Sequence, residues 1–295
     1  MADKAELVSI ASTGLSAQVD PLGAQLFALR DSHSQDLLWN GDPAIWASRA
    51  PILFPIVGEL NQGVYRLDGQ IFHLPRHGLA RRRRFELVDA AASSACFRLS
   101  ADGETWGVYP FDFVLDVEFS LAGETLTLAA SISNQGESAM PASFGFHPAF
   151  LWPLPYGQIR SDHVIRFEQI EAAPIRRLSG AGLLMPAAET TPVIGNELRL
   201  TDTLFVDDVV IFDQLASRSL TYGGQEGPRL KIDFNGAPYL GLWTKPGAPF
   251  ICIEPWEGVA DPEGYAGDFR AKPGMMTIEP GATRRVAMSV TLELD

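Results

Sequence analysis

Two short segments of this chain place an ionisable side chain just before a proline at the end of an apolar, extended run. They are Ser143-Phe144-Gly145-Phe146-His147-Pro148 and Ile251-Cys252-Ile253-Glu254-Pro255-Trp256. Phe144 and Phe146 in the first, and Ile251 and Ile253 in the second, recur with the two-residue period of a strand. His147 and Glu254 therefore point to the face opposite those anchors. Each proline biases its predecessor away from helix and is expected to end ladder pairing where the polar group emerges. An imidazole and a carboxylate at the mouth ends of two strands form a plausible acid and base for moving protons on a small molecule.

Other residues could join that pair. His77 lies in Arg76-His77-Gly78, and Asp207 and Asp208 lie in Phe205-Val206-Asp207-Asp208-Val209-Val210, where strand alternation lets only one aspartate face the site. Trp243 and Trp256 offer flat apolar faces on which a ligand ring could stack, although tryptophans also serve as plain core. The basic run Arg81–Arg84 reads as a strand with arginines on alternating faces, hence a solvated edge; its other reading is an anion clamp.

The elements that must position these groups are strands. Period-two runs separated by turn residues are expected at 6–10, 15–19, 25–30, 64–67, 70–74, 85–88, 95–99, 111–121, 125–133, 161–167, 197–200, 209–212, 219–222, 230–234, 239–244, 250–254, 276–278 and 283–293. Asp68-Gly69 is the strongest hairpin turn. A single helical turn is expected at 44–48, after Asp42 and Pro43. No window carries a helical apolar stripe for three turns, and 180–195 looks like a surface excursion. The expected architecture is one all-β domain spanning 1–295, a sandwich of two large antiparallel sheets.

Composition narrows the partners. A net charge of −13 argues against a nucleic-acid binder, whose affinity rests on neutralising phosphates. No apolar run approaches the roughly 20 residues that span a bilayer. Two cysteines, Cys96 and Cys252, stand in unrelated contexts without metal-ligand spacing, and with no leader apparent they read as buried thiols in a reducing cytoplasm.

The stretch 143–150, the run 241–258, and Arg49-Ala50-Pro51-Ile52-Leu53-Phe54-Pro55-Ile56-Val57-Gly58 followed by Arg76-His77-Gly78-Leu79-Ala80-Arg81 together resemble the aldose 1-epimerase (galactose mutarotase) family, in its epimerase-like branch. The resemblance extends over nearly the full chain. It implies a β-supersandwich, a sugar as the small-molecule substrate, and mutarotation without cofactor or metal. By matching position it implies Glu254 as base, His147 as acid, His77 as a second histidine near the sugar ring, and Asp208 as a ligand of a sugar hydroxyl. The arginine found near the start of galactose-type members is missing from Gly58-Glu59-Leu60-Asn61-Gln62-Gly63, and Arg49 is expected to supply a guanidinium instead. Two rival readings remain open. One is a cupin-like metal enzyme drawing on His73, His77, His147 and Glu254, opposed by Pro75, which breaks the helix that would align the first two. The other is a sugar-binding protein without chemistry. Within the family reading, a hexose-6-phosphate is the alternative substrate.

Overall fold

A computed structural model describes residues 7–294. The alternating runs pair into two large sheets. The first has nine antiparallel strands in the order Glu197–Arg199, Val164–Phe167, Ser219–Gly223, Arg229–Asp233, Thr283–Glu293, Thr125–Asn134, Phe113–Ala122, Ser94–Ser100 and Glu86–Ala91. The second runs Leu184–Glu189, Ile175–Leu178, Val210–Phe212, Tyr239–Trp243, Phe250–Glu257, Phe144–Phe146 and Ile52–Leu53, with Ala149–Leu151 also paired to Phe250–Glu257. The chain is an all-β supersandwich, as expected. Inward residues of both sheets, among them Val117, Phe119, Leu126, Leu128, Phe144, Phe146, Leu240, Leu242, Ile251 and Ile253, share one buried cluster. Apolar burial of this kind, at roughly 25 cal/mol per Å², drives the two faces together.

Local details follow turn chemistry. Asp68 and Gly69 both adopt positive φ, 51° and 77°, and join Val64–Leu67 to Gln70–His73. The expected turn after Asp42 forms, with the Asp42 carboxylate accepting from the Ala44 N–H and its carbonyl from the Trp46 N–H. Glu6, expected to open the first strand, lies outside the described residues, and that strand covers Val8–Ala11.

Three expectations about elements are corrected. The segment 180–195 is not a mere excursion, because Leu184–Glu189 forms an edge strand against Ile175–Leu178. Pro186 disguised it, and an edge position tolerates proline. Arg81–Arg84 is not a strand, since Ala80–Arg82 is a 3-10 turn. Nor does Pro255 end its strand, which continues to Glu257 with Pro255 paired to Leu240. The short helix Gly103–Trp106, capped by Asp102, was not foreseen.

Candidate active site

The two prolines matter in register rather than as strand ends. Phe250–Glu257 pairs with Phe144–Phe146 through Gly145 and Trp256, and with Ala149–Leu151 through Ala149 and Cys252. One register carries across the gap, so His147 lies directly opposite Glu254, and Pro148 and Pro255, lacking N–H groups, interrupt the ladder there. Opposed residues on one face of a sheet bring their side chains together. His147 Nε2 is 3.2 Å from Glu254 Oε2, with the residues 7% and 1% exposed. Glu254 thus emerges from mid-strand, not from a strand's end.

Its neighbours on that face are fixed by glycines. The Trp256 indole lies across Gly145 on one side and Gly241 on the other. A Cβ at either would approach the ring to 2.6 Å or 2.4 Å. Its N–H faces the Glu254 carboxylate without completing a hydrogen bond. Trp46 stacks on His147, with centroids 5.2 Å apart and planes 27° apart, and Trp243 meets the same ring edge-on at 6.0 Å.

His77 arrives from a turn pinned to Gly58, and its ring meets that of His147 edge-on at 5.8 Å. The Gly58 carbonyl accepts from the His77 N–H at 2.8 Å, and His77 Nδ1 accepts from the Gly58 N–H at 3.1 Å. A backbone N–H only donates, so the neutral ring carries its proton on Nε2. The turn needs Gly78, at φ +75°, where a Cβ would sit 2.2 Å from the Phe54 carbonyl oxygen. His77 itself has φ 66°, and so does Asp208. Two non-glycine residues held in the left-handed region at one cavity are a marker of functional constraint.

These groups line a cavity of about 480 Å³. His77, His147, Asp208, Trp243, Trp256 and Glu254 are all on its wall. Asp207 is exposed and off the wall; a turn after Asp202–Phe205, not strand alternation, makes that choice. Arg49 is a correction. Its guanidinium lies 3.6 Å over the Phe27 ring and donates to the Phe27 carbonyl, outside the cavity. The cavity's cations are instead Arg76, Arg81 and Lys245. Arg81 donates to Ser48 Oγ at 2.9 Å, Arg76 stands 4.0 Å from Asp208, and Lys245 donates to the Ile45 carbonyl. The 3-10 turn aims Arg81 inward, while Arg83 turns outward to Asp102 and Glu104. Sequence reading missed Trp46, Arg76 and Lys245 as wall residues. Arg76 and Lys245 lie inside the segments 76–81 and 241–258 that carry the resemblance, whereas Trp46, in the loop after Asp42, lies in none of them.

Burial sets the electrostatics. It pushes the Glu254 carboxyl well above the usual range, opposed by the Trp256 N–H and by Arg76. It holds the His147 imidazole down to about 3, helped by Arg81 and Arg76, and keeps His77 well below its ordinary value, helped by His147. A carboxyl that holds its proton tightly is a strong base once ionised, and an imidazolium that holds its proton weakly is a strong acid. Among the described residues, Glu254 Oε2, His147 Nδ1 and Trp256 Nε1 are buried without hydrogen-bond partners. Unpaired buried polar atoms each cost about 1–3 kcal/mol, so three converging on one cavity point to a polar ligand.

Two further expectations are corrected, the cupin-like ligand set and the burial of both cysteines. His73 is exposed on the Gln70–His73 strand and off the cavity wall. Both cysteines are free thiols, but only Cys252 is fully buried; Cys96 is half-buried on the Ser94–Ser100 strand.

Known proteins resemble this chain over nearly its whole length. The family model described as aldose 1-epimerase matches residues 6–290. The chromosomal protein LacX of Lactococcus lactis subsp. lactis is 32% identical over 288 residues, covering 94% of this chain and 96% of that protein. A galactose mutarotase-like protein from Lactobacillus casei superposes with a TM-score of 0.91 at 29% identity, covering 98% of this chain and 100% of the other. A galactose mutarotase related enzyme from Lactobacillus acidophilus gives 0.89 at 27% identity, covering 98% and 97%.

Proposed function

This chain belongs to the aldose 1-epimerase family, and from that premise we propose that it is a mutarotase, interconverting the α and β anomers of an aldose by acid–base ring opening and closure. The observation that carries the reading is the facing pair, Glu254 and His147, at 3.2 Å on the wall of a cavity whose polar atoms lack partners. The cavity's volume falls within the about 300–1,000 Å³ usual for small-molecule sites.

Glu254 takes the proton of the anomeric hydroxyl while His147 gives one to the ring oxygen. The bond between anomeric carbon and ring oxygen breaks, leaving an open-chain aldehyde. Rotation about the adjacent carbon–carbon bond presents the other carbonyl face, and the two transfers run backwards. The pair holds one proton whether it is written carboxylate and imidazolium or carboxyl and imidazole. Burial favours the neutral arrangement, and sugar hydroxyls bonded to both groups stabilise the charged one. His77 presents Nε2–H as a fixed donor to the ring region, and Arg81 offsets negative charge on the opening oxygen. Asp208 accepts from a sugar hydroxyl, and Trp46 and Trp243 wall the apolar ring face. The proton transfers on this route are carried by side chains, without a cofactor.

A second reading has one observation behind it: three cations line the cavity, which would suit a sugar phosphate. Each is already engaged, Arg81 by Ser48, Arg76 by Asp208 and Lys245 by Ile45. The uncharged sugar is therefore the preferred substrate. Freshly dissolved α and β anomers of matched free and 6-phosphorylated hexoses, followed by polarimetry, separate the readings. Faster exchange of free sugars is expected. A tenfold, salt-sensitive advantage for the phosphates that is lost in Arg81→Ala would assign the phosphorylated class, and tight binding without exchange would leave a sugar-binding protein.

A further inference from the structure

Cys252 has no part in the proton transfers, yet it sits beside the groups that do. It precedes Glu254 by two residues on Phe250–Glu257, so thiol and carboxylate share one face of the sheet. Ala149 is its cross-strand partner, next to the ladder gap that brings His147 opposite Glu254. One ligand atom each from His147, Cys252 and Glu254 falls within 4.8 Å of the other two, and all three residues are buried. The sequence concealed this trio, because its members come from two strands and follow no ligand spacing.

The donor set is the kind that zinc-class ions take in sites that keep one position open, with bonds of about 2.0–2.3 Å. Donors on a tetrahedral ion of that size stand about 3.3–3.8 Å apart. The 3.2 Å between His147 and Glu254 is already close to that range, and the thiol needs a shift of about 1 Å or less from the outer limit. Charge also balances. A thiolate and a carboxylate cancel two positive charges, so the filled site would be neutral overall in a place where net charge is costly. Binding would expel the thiol proton and any proton on the carboxyl. Glu254 Oε2, in a residue 1% exposed, completes no hydrogen bond among the described residues and has only its 3.2 Å approach to His147 Nε2. Arg76 and Arg81 act against a bare cation, which selects for donors that bring their own negative charge.

We propose that His147, Cys252 and Glu254 form a binding site for a thiophilic divalent ion of the zinc class, open to the cavity at its fourth position. Filling it would occupy both proton-transfer groups, making the ion an inhibitor competitive with sugar; that consequence, unlike the binding itself, rests on the mutarotase reading. Hard ions such as magnesium, which prefer oxygen ligands, would not compete.

The test is a cobalt(II) titration of the full chain after chelation. One equivalent should bind with a thiolate-to-cobalt charge-transfer band in the near ultraviolet, displaced by zinc but not by magnesium. Cys252→Ala should abolish the band and weaken binding at least tenfold, whereas Cys96→Ser should keep both. Zinc-edge X-ray absorption of the unmodified protein, showing one sulfur among nitrogen and oxygen neighbours, serves as the readout that needs no variant. A bound ion without a sulfur neighbour, a band that persists in folded Cys252→Ala, or no binding of one equivalent would overturn the site. If zinc binds as described but anomer exchange is absent from the metal-free protein, the site stands and the mutarotase reading fails.

Discussion

In the proposed exchange, the proton shared by Glu254 and His147 ties the chemistry to pH in a way that bulk side chains would not. A free imidazole titrates near 6.5, but burial and the neighbouring Arg81 and Arg76 hold His147 to about 3. The working pair keeps its one proton until the medium is acidic enough to add a second. The acid limb of the rate constant for exchange is therefore expected well below pH 6.5, with a flat region through neutrality. A pH–rate profile checks this, and an acid limb centred near 6.5 would show a solvated histidine instead. At this scale the sequence was partly legible. His77, His147, Asp208, Trp243, Trp256 and Glu254 stood out by residue type and context, and the fold brings them to one cavity. Arg49 stood out equally and lies elsewhere, because a motif records proximity in sequence and not the direction of a side chain. Arg81 was hidden by a turn that strand periodicity cannot represent.

Among the elements, the Phe250–Glu257 strand does most to build the site, since Cys252, Glu254 and Trp256 share its outer face while Ile251 and Ile253 enter the core. Its outer face depends on Gly241 and Gly145 leaving room for the Trp256 indole. Gly241→Ala should drive a methyl into that ring, costing about 1–3 kcal/mol of stability. It should also lower exchange activity by tilting the indole against Glu254. Denaturant melts with parallel rate measurements would show this, and a variant as stable and active as the parent would mean the ring can move freely. Long alternating strands such as Phe113–Ala122 and Thr125–Asn134 were readable because period two is unambiguous over ten residues. Ile175–Leu178 was not, since Arg176 and Arg177 interrupt its apolar pattern and find Asp213 and Glu189 only in the folded chain.

For the molecule as a whole, keeping His147 neutral inside a core carries a stability signature. Between pH 6.5 and about 3 the unfolded chain takes up a proton on this imidazole that the folded chain refuses. Unfolding then binds protons, so this contribution is present at high pH and is lost as pH falls. Glu254, raised by burial, acts in the opposite sense and gives its contribution at low pH. From pH 7 to 5, the unmodified protein is expected to lose about 2 kcal/mol more than His147→Asn. Urea unfolding at the two pH values measures it; equal losses would mean that His147 is protonated when folded.

Whether Glu254 serves as the base of an anomer exchange is read from magnetisation exchange between α and β aldose signals, with unmodified protein and with Glu254→Gln. The amide keeps the shape of the side chain but cannot accept the proton. Exchange should fall by about 10²–10⁴-fold while the protein remains folded, as is typical for loss of a general base. A folded Glu254→Gln protein retaining more than about half of the original rate, with chemistry limiting, would remove Glu254 from the base role.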